Sequence, residues 1–464
     1  MFKLLATAPL LSLRLRVPPH PSIFSKEEVF TAATQFVYGN DAETILFRTR
    51  MSAASLTLAL ALILFFAAKE MFGSVAALSA LSLFVFEPAV LAHGALVTTD
   101  MAMSCFLLAT VYCFYRYVKL PTAPRLILTA LAAGLALASK HSGILIFPIL
   151  TALAFTELLG RKENLAMPTT RSQQALRLAG AIIVISFISV AVLWVSYGFR
   201  LHPRPGLDAQ ARVIQYALRL HHPIQAQMIA GFARWHLLPE GYLYGLADVG
   251  FTADFSHTYL LGRVYPHGVW YYFPIAFLIK SSLALSVFLL LVPLAIFWHR
   301  TEHRRELLFL TIPALFYLAV ATASRMNIGV RHILPIFPFL FVLAGWAAAK
   351  LSERRRSWAY IVAMVLVFDI VSSRRAFPVY VAYANELWGG PANTYKYLSD
   401  SNADWAQQLK AVKKYLDSNG VQELLVRIFW RSRRRPFLLR HPLQAADDHR
   451  LGLAATFDRG PRPY

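Results

Sequence analysis

Long apolar runs separated by short polar punctuation dominate this chain. Runs near residues 51–68, 73–92, 100–118, 178–199, 269–297, 307–323, 329–348 and 358–372 approach the roughly 20 apolar residues that carry a helix across a bilayer. The stretch 125–158 is longer, and SKHSG at 139–143 interrupts it, so it reads as a hairpin of two helices. The pattern predicts about ten transmembrane helices, the last of them the weakest. Ala130, Gly134 and Ala138 recur at every fourth position, which is either a stripe that lets a neighbouring helix approach closely or plain alanine-rich helix.

Composition agrees with this pattern. The chain is 57% hydrophobic and 15% charged over 464 residues, with a mean hydropathy of +0.49, too apolar for a soluble globular protein. The expected class is an all-α polytopic membrane protein. A net charge of +21 raises the idea of a nucleic-acid partner, but the placement of the charges answers it. One alternating set of loops holds fifteen Lys and Arg, from Lys69 through Arg116, Arg161 and Arg300 to Arg356. The short loops of the other set, 93–99, 139–142 and 324–328, hold only Lys140 and Arg325. The basic set is therefore expected to face the cytoplasm and the other set, with Asp100, to face out. No nucleic acid is expected as a partner. Cys105 and Cys113 share one predicted helix and offer no disulfide framework.

The segments outside the predicted spans divide the chain. Residues 1–50 read as an interfacial helix and the remainder of an outer loop, and 51–372 as the membrane domain with a large outer loop at 200–268. Residues 373–426 read as a small outward domain, in which Leu409, Val412 and Leu416 share one face of a helix closed by Gly420. From 427 to 464 nine arginines occur without periodicity, which reads as a basic tail, disordered or out of frame. Loop 200–268 contains His202, His221, His222, His236, His257 and His267, none at a known metal-motif spacing. No cofactor is expected, with a divalent metal left open.

An enzyme at the outer surface has no nucleotide sugars to hand, so an activated group must arrive on a lipid, and lipid phosphate is the natural handle. Sugar transfer from a polyprenyl phosphate needs a carboxylate to take the proton of the attacking group and cations to hold the departing phosphate. Asp100, Asp248, Asp254, Asp400 and Asp404 are the acids available, and Lys140, Lys280, Arg325, Arg331 and His332 the basic groups. Each has a plainer reading. Arg331 can snorkel to the interface, and Asp100, after Thr98 and Thr99, can be a helix cap.

Several segments carry a resemblance: MFKLLATAPLL, EPAVLAHGALVTTDMAMSCFLLATVYCFYRY, LASKHSGILIFPIL, GVWYYFPIAFLIKSSLAL, MNIGVRHILPIFPFLFVLAG and YANELWGGPANTYKYLSDSNADWAQQLKAVKKYL. In this order the chain, to about residue 426, resembles the bacterial membrane glycosyltransferases related to protein O-mannosyltransferases and to the aminoarabinose transferase of lipid A, which share the GT-C fold. The resemblance implies transfer of a sugar from a polyprenyl-phosphate donor to an acceptor at the outer face of the cytoplasmic membrane, with inversion. It implies a catalytic role for Asp100, lipid-phosphate contacts for Lys3, Arg325, Arg331 and His332, and a substrate cavity near His93, Lys140, His141, Lys280, Asn402, Asp404 and Trp405. The acceptor, protein, lipid or glycan, is not specified.

Two departures from the family pattern affect what is expected. Members begin with a membrane helix and an outer loop carrying the principal catalytic acid, and neither is found here, so the chain reads as starting after that loop. Glu27, Glu28, Asp41 and Glu43 are not taken as replacements. The arginine-rich end also differs from the family. Two rival readings therefore stand beside the transferase: a transporter or flippase of lipid-linked sugars, for which Lys280 is the main deep charge, and a non-catalytic relative that binds such lipids.

Overall fold

The computed structural model describes residues 2–18, 26–160, 170–202, 209–220, 222–254, 256–298, 303–405, 407–420, 423–426 and 437–440. Two compact units are present, Met1–Ala403 and Asp404–Tyr464.

The first unit is a helical membrane bundle. It opens with α1 (Phe2–Thr7), α2 (Lys26–Tyr38) and α3 (Ala42–Phe72). Asp41 caps α3 by accepting from the backbone N–H groups of Glu43 and Thr44, and the Thr44 hydroxyl and these N–H groups hold its carboxyl below the ordinary range. There follow α4 (Ser74–Phe86), α5 (Pro88–His93), α6 (Thr99–Lys119), α7 (Ala123–Ser139), α8 (Ile146–Leu159) and α9 (Arg171–Ser196). Helices α10 (Ala209–Ala217), α11 (Pro223–Arg234) and α12 (Glu240–Asp254) and a hairpin of β1 (Thr258–Leu260) with β2 (Arg263–Tyr265) occupy the long loop. The unit ends with α13 (Tyr272–Lys280), α14 (Leu283–Trp298), α15 (Arg304–Ala323), α16 (Phe337–Arg354), α17 (Arg356–Arg375) and a string of 3-10 turns.

The run at 125–158 forms the expected hairpin, with α7 and α8 separated at Lys140 by a 3-10 turn over His141–Leu145. The run at 269–297 does not form one helix. It breaks between Lys280 and Leu283, and α13 and α14 meet at 117°. Such a break exposes carbonyls at one helix end and N–H groups at the other, which apolar surroundings cannot satisfy. Asn385 supplies donors for the first set, its Nδ2 reaching the carbonyls of Leu278 at 2.7 Å and Ser281 at 3.0 Å. For the second set, Glu87 accepts from the Ser282 N–H at 3.3 Å and the Ser282 hydroxyl accepts from the Leu285 N–H. The bend is thus built by residues far away in sequence.

Among the described residues seven helices are long and apolar enough to cross a membrane, or eight if the bent pair is one span. Helices α4 and α7 have only 13 and 17 residues, about 20 and 26 Å at 1.5 Å per residue, so among the described residues ten is reached only by adding these two and the bent pair to the seven. Helix α16 is the most enclosed element, and Gly345 permits its contact with α4: a Cβ there would lie 2.4 Å from the Ala76 carbonyl oxygen. The small residues of α7 serve α9 in the same way. A Cβ at Gly134 would lie 2.6 Å from the Cβ of Val192, and the Ser189 hydroxyl donates to the Ala130 carbonyl, so the stripe is a packing face.

In the second unit α18 (Leu409–Ser418) and an antiparallel pair, β3 (Glu423–Val426) with β4 (Phe437–Arg440), are present. Gly420 follows α18 at φ +61°, as its position after the apolar face suggests. The basic tail expected at 427–464 lies outside the described residues except for β4.

Replacing Gly134 by Ala should lower stability by about 1–3 kcal/mol, the usual cost of overpacking. Gly180 on α9 has open space around it, and Gly180→Ala should be neutral or slightly stabilising. Thermal unfolding of both variants in detergent tests the contrast, and equal behaviour would contradict close α7–α9 packing.

Candidate functional site

Helix α6 starts at Thr99, which places Asp100 in its first turn. Asp100 is not the cap residue itself, since Thr98 occupies the cap position and no side-chain cap bond forms, but its first-turn place puts the carboxylate at the positive end of the helix. Asp100 is 3% exposed, and its carboxylate also meets cations. Lys140 Nζ lies 2.6 Å from Oδ1 and Arg331 Nη1 3.7 Å from Oδ2. The first is a charge-assisted hydrogen bond; the second is an electrostatic contact too long to be one.

Each partner depends on local irregularity. Lys140 is where α7 ends, and its extended backbone (φ −150°, ψ 147°) turns the side chain out of the helix register. The chain then folds back so tightly that a Cβ on Gly143 would lie 2.4 Å from the Ala136 carbonyl oxygen. Arg331 and His332 belong to the 3-10 turn Val330–Ile336 that leads into α16. Three segments remote in sequence therefore bring a carboxylate, an ammonium and a guanidinium together.

Burial works against a charge on Lys140, but Asp100 outweighs it and holds the ammonium above the usual lysine range. His93, at the end of α5, is 2% exposed. Burial pulls its pKa down to about 4, with Lys280 and Arg331 acting in the same direction and Asp100 opposing them, so the imidazole is neutral at pH 7. His332 Nε2 is buried and makes no hydrogen bond.

The other residues expected at the site fall into different groups. His141 packs under α12, its ring 5.0 Å from that of Tyr242, and Gly245 leaves it room. The neighbouring Ser142 accepts from the Tyr317 hydroxyl at 2.9 Å. Lys3 and Arg325 are exposed; Lys3 is close enough to His141 to act on it electrostatically. Lys280 and Asn402 are 3% and 0% exposed and are engaged internally. Lys280 Nζ donates to the carbonyls of Val381 at 2.8 Å and Asn402 at 2.7 Å. Asp404 and Trp405 belong to the second unit.

Of the buried acids that the reading of Lys280 as the main deep charge leaves out, two interrupt apolar runs. Glu87 is 0% exposed and Asp369 1%. An acid inside an apolar run, as in LFVFEPAV and MVLVFDIV, was the available signal. Glu87 braces the α13–α14 bend, so it serves architecture, as Lys280 does, rather than a transport path. Among the described residues no group of three His, Cys, Asp or Glu could hold a metal ion.

Residues 22–202 match the family model described as dolichyl-phosphate-mannose-protein mannosyltransferase. The matched range includes Asp100 and Lys140. No curated protein matches the chain. Among solved structures, ArnT from Cupriavidus metallidurans in the apo state is similar at 18% identity and a TM-score of 0.45, over 79% of this chain and 56% of that one. The same protein bound to undecaprenyl phosphate is similar at 17% identity and a TM-score of 0.44, over 79% of this chain and 57% of that one. The archaeal oligosaccharyltransferase AglB from Archaeoglobus fulgidus, in complex with an inhibitory peptide and a dolichol-phosphate, is similar at 13% identity and a TM-score of 0.42, over 90% of this chain and 53% of that one. The chain thus spans little more than half the length of these structures.

If Asp100 and Lys140 form a buried pair, Asp100→Ala should destabilise the bundle by on the order of 3 kcal/mol by leaving the ammonium uncompensated, and Asp100→Ala with Lys140→Met should recover most of the loss. Thermal unfolding of the two variants checks this; a double variant no more stable than Asp100→Ala would contradict the pairing.

Proposed function

We propose that this chain binds a polyprenyl-phosphate-linked sugar with its phosphate at the Asp100, Lys140 and Arg331 cluster and transfers the sugar to an acceptor. The observation that carries this reading is the convergence of Lys140 and Arg331 on one buried carboxylate. The family match over residues 22–202 supports the same chemistry. In this reading the protein lies in the bacterial cytoplasmic membrane with the cluster facing outward, because the loops of that side are poor in Lys and Arg.

The groups then act as follows. A donor phosphate competes with Asp100 for Lys140 and Arg331, whose ammonium and guanidinium suit phosphate oxygens. That exchange releases the Asp100 carboxylate from its ion pairs, so it can accept the proton of the acceptor. The bond between the sugar's anomeric carbon and the phosphate oxygen breaks as the acceptor forms its own bond to that carbon. The lipid phosphate leaves with its charge held by the two cations. His93, neutral at pH 7, adds no positive charge that would compete for the carboxylate.

Two comparisons test this in protein reconstituted into nanodiscs: binding of a radiolabelled polyprenyl phosphate, and transfer from a polyprenyl-phosphate-linked sugar labelled in the sugar. Lys140→Ala and Arg331→Ala should each weaken binding about 10–100-fold, the worth of one or two hydrogen bonds to a charged group. Asp100→Asn should leave binding unchanged or tighter, since a competitor for the cations is gone, and should abolish sugar transfer. Binding unaffected by either cation's removal would refute the phosphate assignment, and transfer by Asp100→Asn would refute the base.

A further inference from the structure

The two basic-cluster residues Arg331 and His332 sit on a seven-residue 3-10 turn, Val330–Ile336, and such a turn has little intrinsic rigidity. Its entrance is held from outside. Asn402 Oδ1 accepts from the Val330 N–H at 2.9 Å, while Asn402 Nδ2 donates to the Tyr272 hydroxyl at 2.8 Å. The preceding Ser401 donates its hydroxyl to the Ile328 carbonyl at 2.5 Å. Between these bonds Gly329 lies against Ser401, where a Cβ would stand 2.0 Å from the Ser401 hydroxyl oxygen. The Asn402 carbonyl in turn accepts from Lys280, and the Asn327 amide donates to the Val269 carbonyl at 2.8 Å. Asn402, Ser401 and Asn327 are 0%, 1% and 3% exposed.

We infer that Asn402, with Ser401, is a positioning residue that fixes Arg331 against Asp100 for the donor phosphate. The inference rests on the phosphate reading of the cluster. Asn402 bonds the backbone of the residue immediately before Arg331, so it touches neither the reacting atoms nor the guanidinium. It sets the direction in which the 3-10 turn leaves Gly329. Both of its polar ends are used: Oδ1 holds the turn, and Nδ2 ties that turn to the first residue of α13. Each bond is made where water is excluded, so loss of either leaves a buried polar group unpaired. Lys280 has its place in the same assembly, because its Nζ donates to the Asn402 carbonyl.

A merely structural Asn402 would weaken phosphate binding independently of Arg331, whereas a positioning residue acts through it. A double-mutant cycle in nanodiscs, read by the binding of a radiolabelled polyprenyl phosphate, separates the two. Asn402→Ala should weaken binding about tenfold, and in an Arg331→Ala background it should add less than about twofold. Asn402→Asp should stay within about threefold of the native protein, because a carboxylate still accepts from the Val330 N–H and from the Tyr272 hydroxyl. Ser401→Ala, a smaller change, should show the same dependence on Arg331 with a lesser loss, and it serves if Asn402→Ala does not fold. Losses that add in full to that of Arg331→Ala, or no loss at all, would overturn the positioning role. Arg331→Ala binding as tightly as the native protein would instead overturn the phosphate reading, and the positioning role with it.

Discussion

A carboxylate that keeps its charge among apolar helices has to be met by a cation, and the pairing of Asp100 with Lys140 is the contact on which the candidate site depends. An unpaired ion there would cost several kcal/mol in desolvation. The pair therefore requires the break between α7 and α8, since a continuous helix would direct Lys140 elsewhere. It also requires Gly143, whose lack of a side chain lets the chain fold back on Ala136. Helix α12 completes the turn by packing on His141. Arg331, further from the carboxylate, is added through a second irregular segment held by Ser401 and Asn402.

The same constraint governs the bend between α13 and α14. Helix ends buried in an apolar bundle are tolerated only where side chains replace water. Asn385 and Glu87 do this on the two sides of the bend, and Lys280 joins its corner to the carbonyls of Val381 and Asn402. Buried polar residues thus serve different ends here: Asn385, Glu87 and Lys280 are used by the backbone, whereas Asp100 and Lys140 hold side chains of opposite charge against each other.

Most of the architecture was legible from hydropathy, because a helix that meets lipid must be apolar along its length. The hairpin at Lys140 was visible too, since polar SKHSG interrupts an apolar run. The bend at Ser281 was not. Its carbonyls and N–H groups are satisfied by Asn385 and Glu87, and nothing local reports partners so far away in sequence. For the site, the residue types were legible and their pairing was not. Asp100, Lys140 and Arg331 were all singled out, yet only tertiary structure joins positions 100, 140 and 331. The resemblance puts Asn402 near a substrate cavity, and no sequence signal reports the hydrogen bond that ties it to the Val330 backbone beside Arg331. Glu87 and Asp369 were overlooked although an acid within an apolar run is itself a signal.

The most direct test is to image the protein in nanodiscs with a polyprenyl phosphate bound and locate the phosphate. Phosphate density is expected within hydrogen-bond reach of Lys140 Nζ and the Arg331 guanidinium, with Lys140 drawn away from Asp100. Density elsewhere, with the 2.6 Å contact between Asp100 and Lys140 intact, would refute the phosphate site.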